Sequence, residues 1–184
     1  MPTTAPLSNP RLSNHDRLIK GSRLFVRIAI IVNRVFFFGV IAMLIVSVIL
    51  STRFVPLLLP QTSATDLPSA LAGLRLLMVV GLAMAVATEI VLRTLAQIIA
   101  STAAGDPFIA ANARRLRTIG WALLGLQLLA IPCALLDKFC PALGSAAPDA
   151  TFSPGGWLAV LMVFVLSRVF TAGSTMRDDL EGTV

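Results

Sequence analysis

The 184-residue chain is 57% hydrophobic and only 13% charged, with a mean hydropathy of +0.87 and a formal net charge of +6. A soluble domain of this size carries about a quarter charged residues, so there is too little polar surface here to coat a water-soluble globule. The positive balance then points to a membrane surface as the partner of the basic residues, and no direct nucleic-acid binding is expected.

In chain order, residues 1–12 are rich in Pro, Ser and Thr and read as a mobile tail. Residues 13–184 read as one four-helix membrane domain. A basic segment with Arg11, Arg17, Lys20, Arg23 and Arg27 leads into VFFFGVIAMLIVSVIL, Val35 to Leu50. That run is longer than a secretory h-region of about 7–15 residues, and no small-residue cleavage site follows it directly. It reads as a retained transmembrane helix over 14–52, with a signal peptide as the minor alternative. The segment FVPLLLPQTSATDLPS reads as an outer loop, before a second helix over 71–102. A third helix is expected over 107–139, then the outer loop DKFCPALGSAAPDATFSPGG, then a fourth helix over 156–180.

Each apolar stretch is near the ~20 residues that a bilayer requires. The runs are continuous rather than alternating, which favours helices over barrel strands. The expected architecture is all-α, a polytopic bundle of four transmembrane helices. Basic residues gather before the first span and, as Arg93, Arg114, Arg115 and Arg117, between the second and third. The opposite loops hold only Arg53, Arg75 and Lys138. The positive-inside rule then puts both termini and the segment between the second and third spans on the cytoplasmic side of the membrane. Trp121 and Trp157 are expected at the inner and outer interfaces.

Between the second and third spans lies GDPFIAANARRLRTIGW, residues 105–121. Gly105 suits the end of a helix, Asp106 suits an N-cap and Pro107 suits the first helical position. Residues 107–139 would extend about 50 Å as a helix, against a hydrocarbon core of ~30 Å. The excess is expected to project as a cytoplasmic helical hairpin of Leu92–Thr102 and Pro107–Thr118, with Phe108 packing its tip and Asn112 hydrogen-bonding across it. Its arginines either anchor against lipid phosphate or, with Phe108, form a docking surface.

The pattern GDPF…N..RLR.IGW resembles the domain of unknown function 2975 family of uncharacterised bacterial membrane proteins. The matching positions are Gly105, Pro107, Phe108, Asn112, Arg114 or Arg115, Leu116, Arg117, Ile119 and Gly120. The ending FTAGSTMRDDLEGTV is similar to the close of that family, through Asp178, Asp179 and Glu181, and departs from it at Gly182. The resemblance implies four spans over nearly the whole chain, and a small helix-turn-helix regulator as a companion of family members. Phe108, Asn112, Arg114 and Arg117, with Asp178, Asp179 and Glu181, are the candidate partner-binding residues.

Two charges fall deep in the spans. Glu89 lies fourteen residues past Arg75, about 21 Å along the helix, and Arg168 eleven past Trp157, about 16 Å. An intramembrane charge is costly unless it is paired or snorkels. Glu89 can pair with Arg93 in the favourable i,i+4 order, or with Arg168 across the bundle. Arg17, Lys20, Arg27 and Arg34 share roughly one helical face, suited to headgroups or to the acidic tail. Gly81, Ala83, Ala85 and Ala87 allow close helix contact.

No Ser-His-Asp set, Cys/His cluster or phosphate loop is present, His15 reads as a surface residue, and Cys133 and Cys140 read as packing thiols. An enzyme, a cofactor and a metal are not expected. A membrane-anchored partner of a cytoplasmic protein is the leading reading, and a small transporter or channel component the alternative.

Overall fold

The computed structural model describes residues 10–50, 53, 66–139, 141, 143 and 153–181. Four helices account for nearly all of them: α1 Pro10–Ile49, α2 Leu67–Ala103, α3 Ala110–Phe139 and α4 Pro154–Glu181. There is no strand among the described residues. Each helix holds a stretch long and apolar enough to cross a membrane: Ile19–Ile49, Leu67–Ala103, Ala110–Leu135 and Pro154–Arg177.

The helix ends follow local chemistry. α1 starts at Pro10, inside the range read as a tail, because proline is tolerated in the first turn where no N–H is needed. α2 starts at Leu67, with a proline in its first turn. Its C-terminus is closed by the expected Gly105, which sits at φ 92°, a conformation that costs other residues strain. The Gly105 N–H donates to the Thr102 carbonyl and the Asp106 N–H to the Ser101 carbonyl, at 3.1 and 3.3 Å. This is the double-bonded Schellman closure, which satisfies carbonyls that the helix leaves open.

α3 departs from expectation. It begins at Ala110 rather than at Pro107. In a helix begun at Pro107, that carbonyl would accept from the N–H of residue 111. Instead the Asn112 side-chain amide folds back and donates to it at 2.8 Å. Residues 106–109 are thereby released from helix to reach α4. α3 then runs unbroken through Pro132.

The helices pack serially, α1 on α2, α2 on α3 and α3 on α4. Among the described residues α1 meets neither α3 nor α4, and α2 does not meet α4. The expected bundle is therefore an open row. Its buried positions are mostly small or medium side chains such as Ala70, Ala85, Ala113, Cys133 and Val160. That is the packing style of helices that meet through close backbone approach rather than through a large apolar core. Of the small residues singled out in α2, Ala85 is buried, while a methyl group at Gly81 would meet nothing. The close approaches lie instead between α3 and α4. A methyl at Gly120 would lie 3.0 Å from the Phe164 ring, and one at Gly156 would collide with Gln127.

Much of the remaining surface is apolar. Phe25, Val35, Phe38 and Ile49 on α1, and Leu161, Met162 and Val169 on α4, are all exposed. Continuous apolar surface of this extent is unfavourable in water and suited to lipid.

Candidate functional site

Polar side chains in this frame collect in two places. The first lies between α1 and α2. Glu89 accepts at one oxygen from Arg34 Nε, 2.9 Å, and from Arg93 Nε, 2.8 Å. Its other oxygen accepts from the Asn33 amide at 3.1 Å, and the same amide reaches the Ala85 carbonyl at 3.0 Å. One turn of each helix thus supplies a carboxylate with three donors. Phe37, Phe38, Val86 and Ile90 border this cluster around a groove of about 500 Å³.

Arg93 is the partner that the i,i+4 spacing indicated, but Arg168 is not a partner of Glu89. α2 and α4 do not meet, so no Glu89–Arg168 pair can form in this arrangement. Asn33 and Arg34 were not foreseen as partners. Their only sequence signal is an Asn-Arg pair at the very start of the apolar run of α1. Arg34, on the face that its spacing shares with Arg27, is thus engaged by α2.

A second contact fixes the register of α1 on α2. Arg75 donates from Nη2 to the Ser47 carbonyl, 2.8 Å, and from Nε to the Ser47 hydroxyl, 3.2 Å. Ser47 lies in the last turn of α1, where carbonyls have no helical partner. From Asn33 to Ser47 and from Glu89 to Arg75 the separation is fourteen residues, about 21 Å on each helix. The two helices therefore run antiparallel without slippage.

The second place is the α2–α3 joint and the adjoining part of α4. Asn112 is fully buried. Its carbonyl oxygen accepts from the Ser101 hydroxyl across the tip, 2.9 Å, and from Arg115 Nη1, 2.8 Å. Arg115 also donates to Gln97, 3.2 Å from Nε to Oε1. Asn112 is thus a cross-tip tie, as its position suggested, with its side chain buried inside the joint. Arg115 is engaged within the hairpin, whereas Arg114 and Arg117 are exposed.

The tip is fastened to α4. Phe108 packs on Phe170, with ring centroids 5.1 Å apart, and against Gly173. Asp106 accepts from Arg177 at 2.8 Å. Phe108 still leaves 46% of its surface exposed. The acidic ending is part of α4 rather than a separate tail, since the helix continues to Glu181. Asp179 is exposed there, while the side chains of Asp178 and Glu181 lie outside the described residues. Among the described residues α1 does not meet α4.

Between α3 and α4 a groove of about 660 Å³ is lined by Arg114, Arg117, Trp121, Phe164 and Arg168, among others. The Ser167 hydroxyl donates to the Ala113 carbonyl, 2.9 Å, which sets Arg168 opposite Arg114. Trp121 meets Phe164 edge to face, at 5.5 Å. Trp121 and Trp157 do not mark opposite membrane faces. Trp157 follows Gly156, which packs on Gln127, only six residues or about 9 Å beyond Trp121. α4 is displaced along α3 toward the tip, so its final turns run beside the α2–α3 joint.

A family model described as "Protein of unknown function (DUF2975)" matches residues 35–184. No curated protein and no solved structure matches the chain.

Proposed function

The chain belongs to the DUF2975 family, and we propose that it is a multi-pass protein of the bacterial inner membrane that docks a cytoplasmic protein through the α2–α3 tip and the end of α4. Both termini and the hairpin are cytoplasmic in this reading. It is a non-enzymatic role, with no cofactor.

Helix register supports the placement in the bilayer. Extending the α1–α2 register brings Arg27 level with Leu95, and the Gln97–Arg115 contact brings Leu95 level with Arg117. Arg168 lies within about one turn of that level, through its neighbour Ser167 on Ala113. From this arginine level to Ser47 and Arg75 is twenty residues on each of α1 and α2, about 30 Å, the thickness of a hydrocarbon core. Arginines at one such level and fewer basic residues beyond the other agree with the positive-inside rule. Beyond the arginine level the hairpin projects by about two turns, and α4 by more.

One observation carries the docking reading. Asp106–Arg177 and Phe108–Phe170 join the tip to the end of α4, so two segments far apart in sequence form one surface. Half-exposed Phe108 and exposed Met176 supply apolar area, and Asp106, Arg177 and Asp179 surround it with charge. An apolar centre with a charged rim is the usual anatomy of a protein contact site. The family resemblance points to a helix-turn-helix regulator as the partner, held at the membrane and away from DNA. A transporter reading would depend on Glu89, whose carboxylate is already engaged by Arg34, Arg93 and Asn33.

The test is crosslinked capture from native membranes, comparing wild type with a Met176→Asp, Asp179→Lys variant. A soluble protein should be captured by wild type and lost in the variant. Identical soluble partners from both, or none from either, would remove this reading.

A further inference from the structure

We propose that the α3–α4 groove is a binding site for the phosphate of an anionic phospholipid. The site shares no residue with the docking surface and stands independently of it. Arg114 and Arg117 lie one turn apart on α3, and Arg168 faces Arg114 from α4. None of the three guanidinium groups has a hydrogen-bond or ion-pair partner among the described residues. Nearby arginines differ: Arg34 and Arg93 hold Glu89, Arg115 holds Gln97 and Asn112, and Arg177 holds Asp106.

Three cations facing one groove repel each other, and among the described residues no acidic side chain lines that groove. A bound anion offsets this repulsion. Guanidinium groups match the oxygens of a phosphate in bidentate fashion, which suits arginine to this task better than lysine.

The groove changes character along its length. From Arg114 to Trp121 is seven residues, about 10 Å. Over that distance its lining passes from three guanidiniums to the Trp121 and Phe164 rings. Beyond the rings, toward the far face, Leu161 and Leu158 on α4 and Leu128 on α3 present exposed apolar surface. A charged end followed by an aromatic collar and an aliphatic wall reproduces the profile of a phospholipid, from headgroup through glycerol to acyl chain. A free phosphate compound would use the arginines and leave the apolar half of the groove without a ligand. Charge selects the lipid class. A zwitterionic headgroup would bring its own ammonium among the three arginines, whereas phosphatidylglycerol brings only the negative phosphate.

The experiment uses the full chain in detergent, titrated with dioleoylphosphatidylglycerol, dioleoylphosphatidylcholine or inorganic phosphate and read by native mass spectrometry. Phosphatidylglycerol adducts should form at about tenfold lower concentration than phosphatidylcholine adducts. An Arg114→Gln, Arg117→Gln, Arg168→Gln variant should erase that preference. An Arg23→Gln, Arg27→Gln variant, which removes charge outside the groove, should keep it. If the two variants lose the preference alike, only general charge attraction operates and the site is refuted. Inorganic phosphate adducts that form as readily as phosphatidylglycerol adducts, and are lost in the same triple variant, would reassign the groove to a soluble anion and overturn the lipid proposal. A second readout needs no arginine variant. In a Trp157→Phe background Trp121 is the remaining tryptophan. Phosphatidylglycerol with brominated acyl chains should quench it more than equally brominated phosphatidylcholine, and equal quenching would overturn the proposal.

Discussion

Arg34 of α1 reaches across to Glu89 of α2, Nε to Oε1 at 2.9 Å, and so makes an interhelical pair where the shared carboxylate also serves Arg93 on its own helix. The consequence is a defined pattern of coupling. Glu89→Ala should destabilise the protein by about 1–3 kcal/mol, since it leaves three donors without their acceptor. The lower end is expected because the Arg34 and Arg93 side chains are 51% and 60% exposed and recover solvent or headgroup contacts. Double-mutant cycles by thermal unfolding in detergent should give a coupling of at least ~0.5 kcal/mol for Glu89 with Arg34. Glu89 with Arg168 should be additive within ~0.5 kcal/mol. A Glu89–Arg168 coupling as large as the Glu89–Arg34 one would contradict the serial packing.

The α2–α3 joint depends on two residues for different reasons. Gly105→Ala places a Cβ at φ 92° and should cost about 1–2 kcal/mol. Asn112→Ala removes three hydrogen bonds from a fully buried position and should cost about 1–3 kcal/mol. Asn112→Asp should be no milder, because the lost amide leaves the Pro107 carbonyl facing a carboxylate. Amide exchange across residues 101–115 measures both effects, and an unchanged exchange pattern in Asn112→Ala would mean that the tip holds without its tie.

These relationships divide cleanly by how local they are. The four helices, the Gly105 turn, the Arg93–Glu89 pair and the Asn112 tie were legible because each rests on residues near in sequence. Apolar run length, a glycine after the last helical turn, an i,i+4 spacing and a polar residue one turn into a hairpin are all local signals. What escaped reading depends on register between helices. Asn33 and Arg34 find Glu89 only because α1 and α2 align without slippage. Trp157 lies near Trp121, rather than a membrane thickness away, because α4 slides along α3 until Gly156 meets Gln127. The late start of α3 is a tertiary effect as well. Asp106 and Pro107 have good helix-start chemistry, yet Asp106 reaches Arg177 and Phe108 reaches Phe170 from a backbone that has left helix there.

Orientation is open to direct measurement. Reporter fusions at Ala64 and Ala147 should read outside, and a fusion at Ala110 should read inside. Met176→Cys should label with a membrane-impermeant thiol reagent only from the cytoplasmic side, in a background with Cys133 and Cys140 replaced by Ser. Labelling from the outer face would invert the topology and with it the docking reading.

The last prediction separates the two fastenings of the tip. The Asp106–Arg177 pair is about half exposed at both ends, 54% and 42%, and pairs of this kind contribute about 0–1 kcal/mol. The Phe108–Phe170 contact adds aromatic packing of about 0.5–1.5 kcal/mol to the apolar area it covers. Phe170→Ala should therefore raise amide exchange at residues 105–109 by about tenfold or more, and Arg177→Ala by only a few-fold. High salt should reduce the effect of Arg177→Ala and leave that of Phe170→Ala nearly unchanged, because screening acts on the ion pair alone. If Arg177→Ala releases the tip as fully as Phe170→Ala at every salt concentration, the ion pair rather than the aromatic contact positions this surface.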